Sequence, residues 1–325
     1  MSGVSFKDND SVKLAKLMPD LREKYLGGMV GSALGDAIGE LAFSHPTKEM
    51  LYAHLGKLKT YRYTDDTAMS IGIAESILKT GWLDEQDLGD TFRDNFRREP
   101  WRGYASGPPT VFSMAEELGI RYAEAAQGLF GGSGSFGNGS AMRVVPVGLV
   151  FHDAPDLYET ARVSAVITHA HPLGIDGAAV QSKAVALAVQ HDPKDTFPSD
   201  AFVQDLLGFA RTPQMKDKIR EVGDLILGQT PPSVAAQRLG RTVAVHESLP
   251  FALYSFLHHP KSFEDCLFCA ILNGGDRDTM GAMACALSGA YLGINAIPKS
   301  WIDKLENRHY LESLGSSLLE VQPPS

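Results

Sequence analysis

Two short acidic stretches carry the chemistry that this sequence suggests. Thr64-Asp65-Asp66-Thr67 opens one apolar helical run, and Asp276-Arg277-Asp278-Thr279 opens another far along the chain. A helix start needs one capping oxygen, and one Asp or Thr supplies it. Further acid there adds about 0.3–1 kcal/mol, while neighbouring carboxylates repel each other, more strongly when buried. A divalent cation removes that conflict. Mg²⁺, with Mn²⁺ as the alternative ion, takes carboxylate, hydroxyl and water oxygens in octahedral arrays. No His cluster or Cys quartet competes for a softer metal. Two readings follow. Either the helix starts converge, and Thr64, Asp65, Asp66, Asp276, Asp278 and Thr279 surround one or two cations, or two heavily capped helices lie apart on the surface.

The elements that must position these groups read as helices. Gly27, Gly31, Gly35 and Gly39 recur every fourth residue over 21–39 and share one helix face. Interior glycine costs roughly 1 kcal/mol relative to alanine, which is tolerable where a second helix must approach closely. The helix over 279–292 is similarly rich in Ala and Gly. Helical periodicity also predicts helices over 67–79, 84–98, 110–117, 157–168, 177–189, 200–210, 215–227, 233–239, 243–257, 263–272, 300–308 and 310–319. Val144–Val150 reads as a strand or a helix, and its proline weakens the strand reading. The expected fold is all-α: one compact multi-helix domain over 1–325, with 1–18 as a flexible tail.

Composition narrows the function classes. The net charge is −9, the pI about 5.6, and no Lys/Arg-rich block is present. Direct recognition of nucleic acid through its phosphates is therefore not expected. No signal-peptide pattern opens the chain, and no long uncharged apolar run suits a membrane; Asp36 and Glu40 interrupt the nearest one. Three cysteines, Cys266, Cys269 and Cys285, are too few and odd in number for a disulfide framework, and read as buried core residues. The expectation is a soluble, cytoplasmic protein, monomeric by preference.

With these motifs in place, the sequence resembles the ADP-ribosylglycohydrolases. "GGMVGSALGDAIGE" (27–40) resembles the family's first helix with its G-D-A-x-G ending, and "YTDDTAMS" (63–70) its first metal motif. "RGYASGPPTVF" (102–112) resembles a segment of the branch that releases ADP-ribose from serine. "GSGSFGNGSAMRV" (132–144) resembles the ligand loop, and "THAHPLGIDGA", "ESLPFALYSFL" and "GGDRDTMGAMA" follow in the family's order. The resemblance implies an all-α domain with a central two-Mg²⁺ site and cleavage of the C1″ bond of ADP-ribose conjugates. Metal ligands would be Thr64, Asp65, Asp66, Asp276, Asp278 and Thr279, and catalytic carboxylates Asp65, Asp66, Asp278 and Glu40. ADP-ribose would meet Gly134, Ser135, Phe136, Gly137, Asn138, Gly139, Met142, His169 and Tyr104. Taken alone, Phe136 reads equally as a core aromatic, and His169 reads more readily as a structural histidine.

The sequence departs from the family pattern twice. Many relatives carry a glutamate seven residues after the Asp of G-D-A-x-G, where this chain has Phe43; Glu40, on the loop expected after the first helix, is the candidate substitute. Arg277 stands between the second pair of aspartates, turned away from the metals or toward substrate, or else paired with an aspartate and weakening metal binding. A non-catalytic ADP-ribose binder or crystallin-like relative is the alternative to a hydrolase. The leaving group stays open among serine, arginine, a base and an acetyl ester.

Overall fold

In the computed structural model, residues 8–322 are described, with side chains from 21 onward. The expected tail, 1–18, falls outside the described side chains. Among the described residues there is no strand; isolated bridges join Tyr61 to Leu305 and Gly137 to Ala244. A contiguous apolar core runs from Tyr25 to Leu318.

The centre of that core is a helix pair, Asp8–Ser44 against Arg277–Leu292. The glycine stripe explains how close they come. A Cβ built on Gly35 would lie 2.1 Å from the Gly281 carbonyl oxygen, and one on Gly27 would lie 2.3 Å from that of Gly289. Gly39 faces the Cα of Asp278 in the same way, at 2.6 Å. The backbones touch along the whole seam, so the first helix delivers its C-terminal end directly onto the second acidic motif. Over 27–39 and 279–291 the two helices are buried all round. Pro172–Gln190, Val245–His258 and Phe263–Leu272 enclose the Arg277–Leu292 helix, and Arg308–Leu318 packs on the first.

Several expectations shift. The first helix continues past Gly39 to Ser44, so Glu40 and Phe43 lie on its last turns and not on a loop. Residues three apart on a helix are neighbours on one side, so Glu40 occupies the turn just before Phe43 on the same flank. Val145–Val150 is helical, opened by Pro146 in a first-turn position where its missing N–H costs nothing. Helices Lys48–Lys57 and Tyr122–Gly132 were not expected; the first buries only Leu51 and Leu55, and the second kinks at Leu129–Gly131. The 300–308 helix shrinks to Lys299–Ile302. The three cysteines are free and buried.

If the seam sets the architecture, Gly35→Ala costs about 1–3 kcal/mol in chemical denaturation. Gly56→Ala, in a helix with nothing within 4 Å of the new Cβ, gains roughly 0.4–1 kcal/mol. An unchanged Gly35→Ala midpoint would mean that the two helices have room to separate.

Candidate active site

The Asp65–Thr80 helix begins at the first acidic motif, and its cap comes from outside. Thr64 makes no side-chain cap bond. Asp36, from the first helix, takes that role: its carboxylate accepts from Thr64 N at 3.0 Å, Thr67 N at 3.0 Å, Thr64 Oγ1 at 2.8 Å and Thr67 Oγ1 at 2.6 Å. With the helix start satisfied by Asp36, Asp65 and Asp66 are released from capping. The Oδ2 of Asp66 lies 3.0 Å from the same Thr64 hydroxyl, whose one proton serves one of the two carboxylates at a time, while its Oδ1 is buried without a hydrogen-bond partner. That orphaned oxygen decides against a surface cap.

The second motif is presented by a tight turn. Gly275 has φ +78°, and a Cβ there would sit 2.1 Å from the Arg241 carbonyl oxygen; only glycine reaches this shape at no steric cost. Asp276 N donates to that same carbonyl at 2.9 Å. Asp276 Oδ2 accepts from Asn138 Nδ2 at 2.6 Å, and Asp278 Oδ1 accepts from Thr279 N at 2.9 Å. Arg277 turns away from the aspartates and donates to the carbonyl of Ile271.

Asp65, Asp66, Asp276, Asp278 and Thr279 line one cavity of about 310 Å³. Ser135, Gly137, Asn138, Gly139, Met142 and His169 line the same cavity. Thr64 lines an adjoining cavity with Glu40, which shares Asp65 and Asp278 with the first. Gly134, Phe136 and Tyr104 are not on the cavity wall. Gly134 abuts the His171 backbone, Phe136 is half-exposed with its ring 5.3 Å from that of His171, and Tyr104 packs edge-on against Phe96 at 5.1 Å.

The ligand loop is braced, not free. Asn138 N donates to Val243 O at 2.8 Å, Val245 N to Phe136 O at 3.1 Å, and Gly137 N to Ser135 Oγ at 3.1 Å. His169 packs under it: a Cβ on Gly139 would lie 2.8 Å from the ring. Arg143, fully buried, donates from Nη2 to Ser164 O at 2.7 Å and to Thr168 Oγ1 at 2.8 Å, and Thr168 Oγ1 is 2.8 Å from His169 Nδ1. The guanidinium can only donate, and His169 Nδ1 is the acceptor offered to the buried Thr168 proton among the described residues. This assigns His169 as a neutral ring with its hydrogen on Nε2. Burial, with the nearby Arg143 cation, lowers its pKa to about 3.

Electrostatics explain why such a cluster calls for a cation. Burial, then the charge of Asp36, raises the Asp65 carboxyl to about 7; burial, then Asp276, raises Asp278 to about 8. Burial and four neighbouring aspartates push Asp66 well above the usual carboxylate range. Among the described residues no three His, Cys, Asp or Glu side chains form a ready-made ion site. The oxygen donors are split between two pairs, with the Thr64 and Thr279 hydroxyls able to complete them, and Mg²⁺ keeps several waters. The donor chemistry and the orphaned Asp66 oxygen both suit a hard divalent cation.

Comparison with known proteins follows the same lines. The profile of the ADP-ribosylglycohydrolase family matches residues 17–325. The chain belongs to that family. It is 33% identical to mouse ADP-ribosylhydrolase ARH3 over 92% of this chain and 91% of the relative, and 32% identical to the human ADP-ribosylhydrolase ARH3 over 92% and 93%. A solved ADP-ribosylglycohydrolase-related protein complex superposes with a TM-score of 0.70 at 25% identity, covering 93% of this chain and 99% of that one. The chain is thus an enzyme acting on a glycosidic bond, of a family that acts on ADP-ribose conjugates. No helix among the described residues is long and apolar enough to cross a membrane. Asp36, Arg143 and Thr168 are the positioning groups that the sequence motifs did not single out.

The raised carboxyls predict a pH signature. They bind protons more tightly folded than unfolded, so without divalent cations their contribution is full below about pH 4 and is lost as pH rises through 7 and 8. In EDTA, Asp66→Asn and Asp278→Asn should become progressively more stable than the wild type between pH 5 and 8.5 by thermal or urea unfolding. A difference independent of pH would contradict the burial of these charges.

Proposed function

We propose that the protein is a Mg²⁺-dependent hydrolase that releases ADP-ribose from an oxygen-linked protein side chain, serine first. One observation carries the reading: both acidic pairs, the ligand loop and His169 wall the same cavity. The similarity to ADP-ribosylhydrolase ARH3 at 33% identity, and the 102–112 segment, favour serine. A relative named ADP-ribosyl-[dinitrogen reductase] glycohydrolase, from Rhodospirillum rubrum, is 27% identical.

Each part has a chemical role in this reading. The amide of Ser135, which no bracing bond among the described residues uses, would meet the diphosphate. The Nε2–H of His169 donates to the sugar–phosphate portion. Thr64, Asp65, Asp66, Asp276, Asp278 and Thr279 would hold two cations, which when bound supply charge stabilisation and orientation for the ribose hydroxyls and a water. Cleavage builds oxocarbenium character at C1″. Water oxygen bonds to C1″ as the bond from C1″ to the acceptor oxygen breaks, its electron pair leaving with that oxygen. Asp66 takes the proton of the water. Glu40, on the adjoining wall with Asp65 and Asp278, returns one to the acceptor. The products are ADP-ribose and the free hydroxyl.

Peptides ADP-ribosylated on serine or on arginine test this, with Mg²⁺ and with EDTA. Serine-linked turnover should require the cation, and Asp65→Ala or Asp278→Ala should lower it by about 1,000-fold. Glu40→Gln should lower it by about 100-fold, and adding Phe43→Glu, one turn along the same flank, should restore part of the loss. Failure to turn over either peptide, or turnover indifferent to EDTA, would overturn the reading.

A further inference from the structure

Two arginines that do not line the catalytic cavity hold charge without an acidic partner. Arg277, one of the two departures from the family pattern, reaches from the start of its helix to the carbonyl of Ile271. That carbonyl lies in the last turn of the Phe263–Leu272 helix, whose partly negative end suits a cation. Arg241 lies along the turn that precedes Asp276. A Cβ built on Gly275 would be 2.6 Å from the Cβ and Cγ of Arg241, and one built on Gly274 would be 3.4 Å from its Nε and 3.7 Å from its Cζ. The Arg241 guanidinium is therefore held against Gly274, three residues along the chain from the carbonyl that holds Arg277.

Among the described residues neither arginine forms an ion pair. The acids close to them in sequence are committed elsewhere. Asp276 accepts from Asn138, Asp278 from the Thr279 amide, and Glu247 from Thr242 N at 3.3 Å and Thr242 Oγ1 at 2.8 Å. Burial, then the charge of Arg241, works against the Arg277 cation. Arginine nevertheless keeps its proton, so two like charges stay together. An oxyanion removes that conflict, as a divalent cation removes the one among the aspartates.

The turn offers further donors. Asn273 has φ −89° and ψ 12°, and Gly274 follows at φ +85°. A right-handed residue followed by a left-handed one turns successive amides to one concave side, a shape that suits an anion. The amides of Gly274 and Gly275 make no hydrogen bond among the described residues. With a net charge of −9, the protein as a whole repels anions, so only local geometry can recruit one. Two cations match the dianion of a phosphate monoester and exceed the single charge of a carboxylate. Planar guanidinium groups also present paired donors to phosphate oxygens.

We propose that Arg241, Arg277 and the Gly274–Gly275 turn form a second ligand site, one that binds a phosphate monoester. The Arg241 carbonyl also accepts from Asp276 N at 2.9 Å, so a phosphate bound here steadies the turn that presents Asp276. The site goes beyond the hydrolase reading and does not depend on it.

Thermal unfolding in EDTA, where no metal recruits the anion, tests the site with inorganic phosphate titrated against chloride at equal ionic strength. Each protein is compared with itself in chloride, so a change in basal stability does not obscure the result. Phosphate should raise the wild-type midpoint by mass action. The apparent affinity should fall about tenfold in Arg241→Ala and in Arg277→Thr, while Arg241→Lys should keep part of it. A short phosphoserine peptide separates the two sources of the group: tighter binding than inorganic phosphate assigns the site to a phosphorylated polypeptide, and equal or weaker binding assigns it to the free ion. Selenate soaked into a crystal should give an anomalous peak between the two guanidinium groups. A wild type indifferent to phosphate, a response unchanged in either truncated variant, or a selenate peak confined to the ligand loop would each overturn the proposal.

Discussion

Everything in this protein depends on two helices whose backbones touch. Glycine on both sides of the seam lets Asp8–Ser44 and Arg277–Leu292 approach until a single methyl group would collide with a carbonyl. Contact that close fixes the helices in register as well as in distance. Asp36 then lies where it can cap the Asp65–Thr80 helix, and Gly39 lies against the start of the second acidic motif. Two sequence segments with no local relation are brought to one cavity by packing alone. Small residues buried in a helix contribute little apolar area of their own; here they are tolerated because of what they allow to meet.

Gathering carboxylates in this way is unfavourable in itself. Burial and mutual repulsion raise Asp65, Asp66 and Asp278 together, and among the described residues no lysine or arginine forms an ion pair with them. Arg143 is near enough to Asp65 to favour its charge, yet its bonds go to Ser164 and Thr168. The buried cation is thus used to hold His169 in one tautomer, and neutralising the acids is left to something that binds from outside. Energetically costly clusters of this kind persist where chemistry uses them. The carboxylates at one part of the cavity and the braced loop and neutral imidazole at another are the division of labour that the proposed reaction asks for.

Much of this was legible in the sequence, for identifiable reasons. The four-residue glycine spacing over 27–39 announced a tightly covered helix, and the 279–292 run was recognisably of the same Ala/Gly-rich kind, although that the two pack on each other follows only from the fold. The surplus of acid over what a helix cap needs pointed to a shared site. What the sequence did not disclose depends on contacts between distant segments. Asp36 read as an interruption of an apolar run; its capping of another helix follows only from packing, although a lone carboxylate in an otherwise apolar helix must find donors somewhere. The chain from Arg143 through Thr168 to His169 is equally invisible, because its members come from separate elements. In the sequence Gly39 reads as a helix end, which puts Glu40 on a loop, whereas in this fold the glycine is a point of contact and the helix runs on to Ser44. Lys48–Lys57 escaped notice because it buries only one narrow apolar pair.

The central claim is that the helix seam brings the two acidic pairs together around divalent cations. Anomalous diffraction from a crystal soaked in Mn²⁺ tests it most directly. The account predicts strong peaks within about 2.0–2.4 Å of oxygens from both Asp65/Asp66 and Asp276/Asp278. Absence of a peak at saturating Mn²⁺, or an ion held by one pair with the other turned away, would contradict it.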